Sequence, residues 1–297
     1  MEEEKVDHRA GFVNILGSPN VGKSTLMNAL VGEKVSIITS KAQTTRHRIH
    51  GIVNGENFQI VYSDTPGLLN PKYKLQENML RAAKSALIDA DIIVFVTEVN
   101  ESPSESLPFI NRIKKAEVPV FLVMNKIDLS HDEQLKILHA QWKEILPECE
   151  FFPVSALMKF NLDNLFERIL EDLPQNPPYF PKENLTDKSE RFLTAEVIRE
   201  KILLNYKQEV PYAVEVEVEE FKEKSNIIRI RSVIYVERDS QKGIIIGGGG
   251  KAVKKVGVDA RKDLEKFFGK KIFLELFVKV KKDWRNSEKS LKDFGYH

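Results

Sequence analysis

Apolar positions follow two different patterns along this chain. Between residues 10 and 172, short apolar runs alternate with longer stretches of helical period. The runs at 12–16, 49–53, 58–63, 92–97, 120–125 and 150–154 have the length and β-branched content of strands. Stretches 23–31, 75–88, 105–115, 132–146 and 162–173 repeat apolar residues every three to four positions, which predicts helices. Asn54-Gly55 joins the second and third runs as a tight hairpin. The other runs lead into helices. The expected class is therefore α/β, a mostly parallel six-stranded sheet with helices on both faces. Such sheets bind ligands at the carboxyl ends of their strands.

Pro174, Pro177, Pro178 and Pro181 fall within eight residues and break the alternation. Proline neither continues a helix nor enters a central strand, so 174–187 reads as a stiff linker. It divides a first domain, 1–173, from a second, 188–297. In the second, a helix over 189–206 precedes a strand at 212–218, where Val214, Val216 and Val218 alternate with Glu215, Glu217 and Glu219. That alternation marks a half-buried antiparallel strand. A second strand at 226–236, a short helix at 240–246, four glycines, a basic helix at 251–268, a strand at 272–280 and a polar terminal helix follow. The order αββααβ predicts a smaller α+β domain.

Chemistry enters at Gly17-Ser18-Pro19-Asn20-Val21-Gly22-Lys23-Ser24, which fits G-x-x-x-x-G-K-[ST] between a strand and a helix. The glycines let backbone N–H groups converge on an anion, and the helix that follows aims its positive end at it. Lys23 would reach the β- and γ-phosphates, and the Ser24 hydroxyl would hold Mg²⁺. This loop alone serves any nucleoside triphosphate. Asp64-Thr65-Pro66-Gly67 fits D-x-x-G after a strand, with Asp64 on Mg²⁺ and the Gly67 N–H facing the γ-phosphate. Asn125-Lys126-Ile127-Asp128 fits N-K-x-D. There a buried Asp128 carboxylate would accept from guanine N1–H and N2–H₂ and reject adenine, which leaves it unpaired. Ser155-Ala156 would meet the guanine O6. In this order, each at a strand end, these segments resemble the translation-factor-like GTPases. The expected nucleotide contacts also include Thr25 and Leu68.

Gln43-Thr44-Thr45-Arg46 lies where such enzymes keep a mobile switch. Thr45, with Thr44 as the alternative, would complete the Mg²⁺ shell, and loss of the γ-phosphate would release the loop. The metal set is thus Ser24, Thr45 and Asp64. Leu68 stands where Ras-like enzymes carry a water-positioning glutamine, so intrinsic turnover is expected to be slow. Lys23, Thr45, Gly67 and Asn20 are the expected catalytic group. In GTPases related to Era and the MnmE group, an asparagine at the position of Asn20 accompanies K⁺-stimulated hydrolysis. By that resemblance K⁺ is a second candidate cofactor; the alternative is that Asn20 only shapes the loop.

The second site is Ile244-Ile245-Ile246-Gly247-Gly248-Gly249-Gly250-Lys251, similar to the I-G-x-x-G signature of type II KH domains. A G-x-x-G turn lets a nucleic-acid backbone approach closely, and four nucleotides lie over the groove beside it. Lys251, Lys254 and Lys255 offer phosphate contacts, and Ile245 and Ile246 would support the groove. Gly248 and Gly249 depart from the pattern, in which one middle position is often basic. Charge agrees with the division. Residues 1–180 carry 19 Lys/Arg against 24 Asp/Glu, whereas 238–297 carry 16 against 8. A basic second part suits a polyanion.

The whole resembles the Era GTPase family over nearly its full length. That resemblance implies binding of GTP and GDP, binding to the 3′ end of 16S rRNA, and a part in maturation of the 30S subunit. It also implies a cytoplasmic monomer with peripheral contact to the inner membrane. A single Cys149, no apolar leader and no run of 18 apolar residues agree with that compartment. Two other classes remain open on the sequence. One is an ATPase or kinase using the same phosphate loop. The other is a GTP-dependent switch whose basic domain binds protein or lipid.

Overall fold

The computed structural model describes residues 8–68, 70–102 and 110–296. They form two compact units. The first holds a six-stranded sheet in the order β2-β3-β1-β4-β5-β6. Its strands are Arg9–Gly17 (β1), Ile49–Asn54 (β2), Phe58–Asp64 (β3), Ile92–Glu98 (β4), Val120–Asn125 (β5) and Glu150–Pro153 (β6). Only β2 runs antiparallel, paired to β3 through the Asn54-Gly55 turn, where Gly55 N–H donates to Phe58 O at 3.0 Å. Apolar residues fill both sheet faces because parallel strands are covered twice. Leu16, Phe95, Leu122, Met124 and Trp142 form one such layer, with Phe95 edge-on to Trp142 at 5.8 Å.

The helices are Lys23–Val31 (α1), Lys74–Ser85 (α2), Asp132–Ile145 (α3) and Leu162–Asp172 (α4). The helix expected over 105–115 lies partly outside the described residues; residues 110–113 are helical. The proline-rich stretch is hydrogen-bonded into the first unit. The Gln59 side chain donates to Phe180 O at 2.8 Å and accepts from Tyr179 N at 2.7 Å, and Tyr179 packs on Phe12 at 4.8 Å.

The second unit comprises Ile37–Thr44, Pro71–Asn78 and Lys188–His297. Its sheet, β7-β8-β9, consists of Glu215–Glu223, Ile227–Val236 and Lys271–Val280. Strand β8 pairs antiparallel to β7 and parallel to β9. Helices Glu190–Asn205 (α5) and Lys251–Phe268 (α7) cover one face; Asp239–Ile246 (α6) and Glu288–Asp293 (α8) complete the set. Ile198, Ile202, Val216, Ile234, Ile245 and Val256 make its core. The αββααβ order expected from the sequence is the order found. The two short segments from the N-terminal half dock inside this unit through polar contacts. Arg199, 1% exposed, donates to Thr44 O. Lys41 donates to Leu203 O and Tyr206 O, and Ile38 N–H donates to Glu200 Oε1 at 3.1 Å. Tyr73 donates to Gln43 Oε1 at 2.7 Å, and Leu75 N–H donates to Arg285 O at 2.9 Å.

Candidate nucleotide and nucleic-acid sites

The phosphate loop leaves the carboxyl end of β1 and enters α1 at Lys23. Gly22 caps the helix at φ 99°, a left-handed conformation in which a side chain is strained. A Cβ there would also lie 2.2 Å from Asn125 Nδ2. Asn125, 2% exposed, donates to Val21 O at 2.8 Å and accepts from Ala156 N at 3.0 Å. It therefore staples three loops. Gly67 is needed for a different closeness: a Cβ on it would sit 2.8 Å from Pro19 Cα. Leu68 N–H donates to Gly17 O at 3.3 Å, and its buried side chain carries no group that could orient water. Thr65 Oγ1 donates to Ile15 O at 2.8 Å, while Thr25 is half-buried in the first turn of α1.

Lys23 is buried and donates to Gly17 O and Ser18 O at 3.0 and 2.7 Å. Burial lowers its pKa to about 8, against the opposing pull of Asp64 and Glu101. Phosphate charge in the loop would raise it again. Ser24 Oγ donates to Asp64 Oδ2 at 2.6 Å and lies 2.9 Å from Thr45 Oγ1. Thr45 donates to the same carboxylate at 3.1 Å. Thr44 Oγ1 turns away, to Lys41 O and Thr39 Oγ1, both at 2.6 Å. Thr45 is therefore the threonine that joins the cluster. Asp64 is fully buried, and burial raises its pKa despite the hydrogen bonds of Ser24, Ser36 and Thr45. Its Oδ1 is buried without a hydrogen-bond partner. Three oxygen-bearing side chains around a half-satisfied carboxylate fit a hard cation such as Mg²⁺.

Asp128 corrects one expectation. It is exposed, not buried, and accepts from Ser155 Oγ at 2.5 Å. Its position directly before Leu129, outside the end of β5, leaves it open to water. Discrimination against adenine must then come from a bound base that covers the carboxylate. Lys126 lies beside it at φ 63°, donates to Asn20 O at 2.7 Å and pairs with Glu98, while Ile127 is half-buried. Asn20 is exposed at φ 66°.

Two residues of this site had no motif to announce them. Ser36 Oγ donates to Asp64 Oδ2 at 2.7 Å. Glu101 is a buried carboxylate that accepts from Ser18 Oγ, and from Thr97 Oγ1 at 2.9 Å. Neither residue belongs to a recurrent spacing, so only the fold brings it in.

In the second unit, α6 ends at Ile246 and α7 begins at Lys251, with Gly247–Gly250 between. Gly249 and Gly250 take φ of 59° and 76°. A Cβ on Gly248, Gly249 or Gly250 would meet nothing within 4 Å, so the outer side of the turn is open backbone. Ile245 is fully buried in the core and faces no ligand; Ile246 is half-buried, and the exposed isoleucine is Ile244. Beside the turn runs a groove of about 300 Å³. Val253, Lys254, Gly257, Val258 and Arg261 of α7 form one wall, and Ile272, Phe273, Leu274 and Leu276 of β9 the other. Lys251 and Lys255 are exposed outside that lining. Gly257 of α7 stands on the groove wall, where a Cβ would make ordinary contact with Leu276 Cδ1 at 3.4 Å.

Two family models match the chain, one described as 50S ribosome-binding GTPase over residues 12–126 and one as KH domain over 209–285. The chain is 44% identical over 292 residues to GTPase Era of Staphylococcus haemolyticus and to that of Staphylococcus epidermidis, covering 98% of each partner in both comparisons. Its structure is similar to that of Era in complex with MgGDPNP and nucleotides 1506–1542 of 16S ribosomal RNA. The TM-score is 0.93 at 41% identity, over 97% of this chain and 99% of that one. An Aquifex aeolicus Era variant bound to GDP·AlF₄⁻ gives the same values.

Replacing Asp128 by Asn should weaken GDP binding by about 10²-fold or more, since a carboxylate accepting two N–H groups contributes roughly 3 kcal/mol or more. Binding of xanthosine diphosphate, which offers an acceptor where guanine offers N2–H₂, should rise in the same variant. Titration with a fluorescent analogue of each nucleotide measures both.

Proposed function

The chain belongs to the Era GTPase family, and from that premise we propose that it is a GTP-timed clamp on the 3′ end of small-subunit ribosomal RNA, acting in maturation of the 30S subunit. The observation that carries this reading is the docking of residues 37–44, part of the switch, inside the KH unit. Thr45 lies on the Asp64 carboxylate, and the carbonyl of its neighbour Thr44 accepts from Arg199 of α5.

As a GTPase, the protein would bind GTP with Lys23 across the phosphates and the amides of the 17–24 loop around them. Ser24, Thr45 and Asp64 would hold Mg²⁺, which would supply positive charge to the phosphates. The Gly67 N–H would face the γ-phosphate beside Pro19, and Asp128 would take the guanine edge. Leu68 supplies no hydrogen bond to water, so chemistry is slow unless positive charge is added near the phosphates. We assign that part to K⁺, with the exposed Asn20 side chain as one ligand. RNA would lie along the groove between α7 and β9, its backbone against the open glycine turn and its phosphates near Lys251, Lys254 and Lys255. Ordering of the 33–48 switch by GTP would favour the groove open to RNA. Family likeness further suggests a cytoplasmic monomer that touches the inner membrane peripherally. Among the described residues, no helix is long and apolar enough to cross a membrane.

Crosslinking in cell extract tests the RNA target. The protein should recover the 3′ end of 16S rRNA, and Gly250→Asp should lose it while binding GDP as before. Recovery of protein or lipid in place of rRNA would defeat this reading. Turnover should also be several-fold faster in KCl than in NaCl, and substitution of Asn20 by Ala should remove the difference. Equal rates in the two salts would eliminate the K⁺ assignment.

A further inference from the structure

The sheet of the second unit has an outer face that the RNA groove reaches only at its edge, through Phe273. Along β8, Ile228, Ile230, Ile234 and Val236 point into the core, and Arg229 and Arg231 alternate with them on the opposite side. Along β9, Ile272 points inward, while Phe273 and Phe277 point outward, 48% and 44% exposed. An outward strand position is ordinarily polar, so two large aromatic rings there serve no packing need of the core.

Each ring carries a guanidinium. Arg229 lies 5.6 Å from the Phe273 centroid and Arg231 5.7 Å from that of Phe277. Phe273 also lines the groove, so the groove and this face share a residue across the sheet edge. Four residues at about 3.3 Å each separate the rings by roughly 13 Å along the strand. Three acidic side chains of the face are paired with cations: Glu219 with Lys279 at 2.9 Å, Glu220 with Lys222 at 2.9 Å and Glu275 with Arg231 at 3.7 Å, while exposed Glu217 is hydrogen-bonded with Tyr235. Those pairs offset much of the negative charge of the face beside Arg229 and Arg231.

We propose that the outer face of the β7-β8-β9 sheet is a second binding surface for single-stranded RNA, on which bases that leave the groove stack against Phe273 and Phe277 beside Arg229 and Arg231. Stacking on an aromatic sheet surface accepts any base, because every base has a π-face, and arginine adds cation–π and phosphate contact. Sheets of RNA-recognition motifs hold two or three bases in this way. The proposal rests on the reading of the groove as an RNA site, and continuity with that groove is what favours RNA over a protein partner.

Fluorescence anisotropy with two probes tests it: the 16S segment 1506–1542, and the piece of about four nucleotides from it that fills the groove. Phe277→Leu keeps an apolar side chain without a π-face, and Arg231→Ala removes the guanidinium. Each should weaken the long RNA several-fold to about tenfold and leave the short piece bound as in the wild type. Unchanged binding of the long RNA in both variants, as expected if the face serves a protein, overturns the proposal. An equal loss for both probes overturns it too. Gly250→Asp separates the premise: if that variant keeps both probes, the groove reading itself is wrong. If it loses the short piece while Phe277→Leu still binds the long RNA fully, only the second surface fails.

Discussion

One carboxylate oxygen organises the nucleotide-binding unit. Asp64 Oδ2 accepts from Ser24 of the phosphate loop, from Ser36 and from Thr45, so three segments of chain converge on a single buried atom. The other oxygen, Oδ1, is buried without a hydrogen bond. Burial penalises this charge, and the hydroxyl donors offset only part of the penalty. A divalent cation with a phosphate beside it would relieve the rest. On that reading a bound ligand would complete the electrostatics of the unit, and the segments gathered around Asp64 would respond when the γ-phosphate departs.

Residues 37–44 are held inside the KH unit by short polar contacts. Arg199 is a buried cation, paired with Glu196 and donating to Thr44 O. Lys41 meets the last carbonyls of α5, a favourable place for a cation at a helix C-terminus. Tyr206, which caps that helix, donates to Ile245 O at 2.6 Å, two residues before Gly247. A continuous set of hydrogen bonds therefore links the backbone beside Thr45 to the helix that ends at the glycine turn. Its members are buried or half-buried and directional, so displacement of residues 37–44 would leave polar groups of α5 without these partners. Such a cost is what allows one site to bias another.

Much of this was legible in the sequence, because periodicity and motif spacing are local. Helices Lys23–Val31 and Lys251–Phe268 have the bounds that the pattern gives them, and Asn54-Gly55 makes its hairpin. The clustering of Ser24, Thr45 and Asp64 follows from motifs placed at strand ends. What the sequence could not disclose depends on long-range packing. Gln59, far away in sequence, holds the chain at Tyr179 and Phe180. Asp128 is exposed in a loop beyond the carboxyl end of β5, which no tetrapeptide encodes. The β9 wall of the groove was read only as a strand, since its role depends on which helix lies against it. Ser36 and Glu101 belong to no motif, and only the fold carries them to Asp64 and Ser18.

The account stands on reciprocity between nucleotide and RNA. The decisive measurement is the affinity of the 1506–1542 RNA for the protein loaded with GDPNP and with GDP, together with the GDPNP and GDP affinities in the presence and absence of that RNA. The account predicts tighter RNA binding with GDPNP, by a factor of roughly 5 to 150, and an RNA-induced rise of the GDPNP-over-GDP affinity ratio by the same factor. Equal RNA affinity in the two nucleotide states would contradict it.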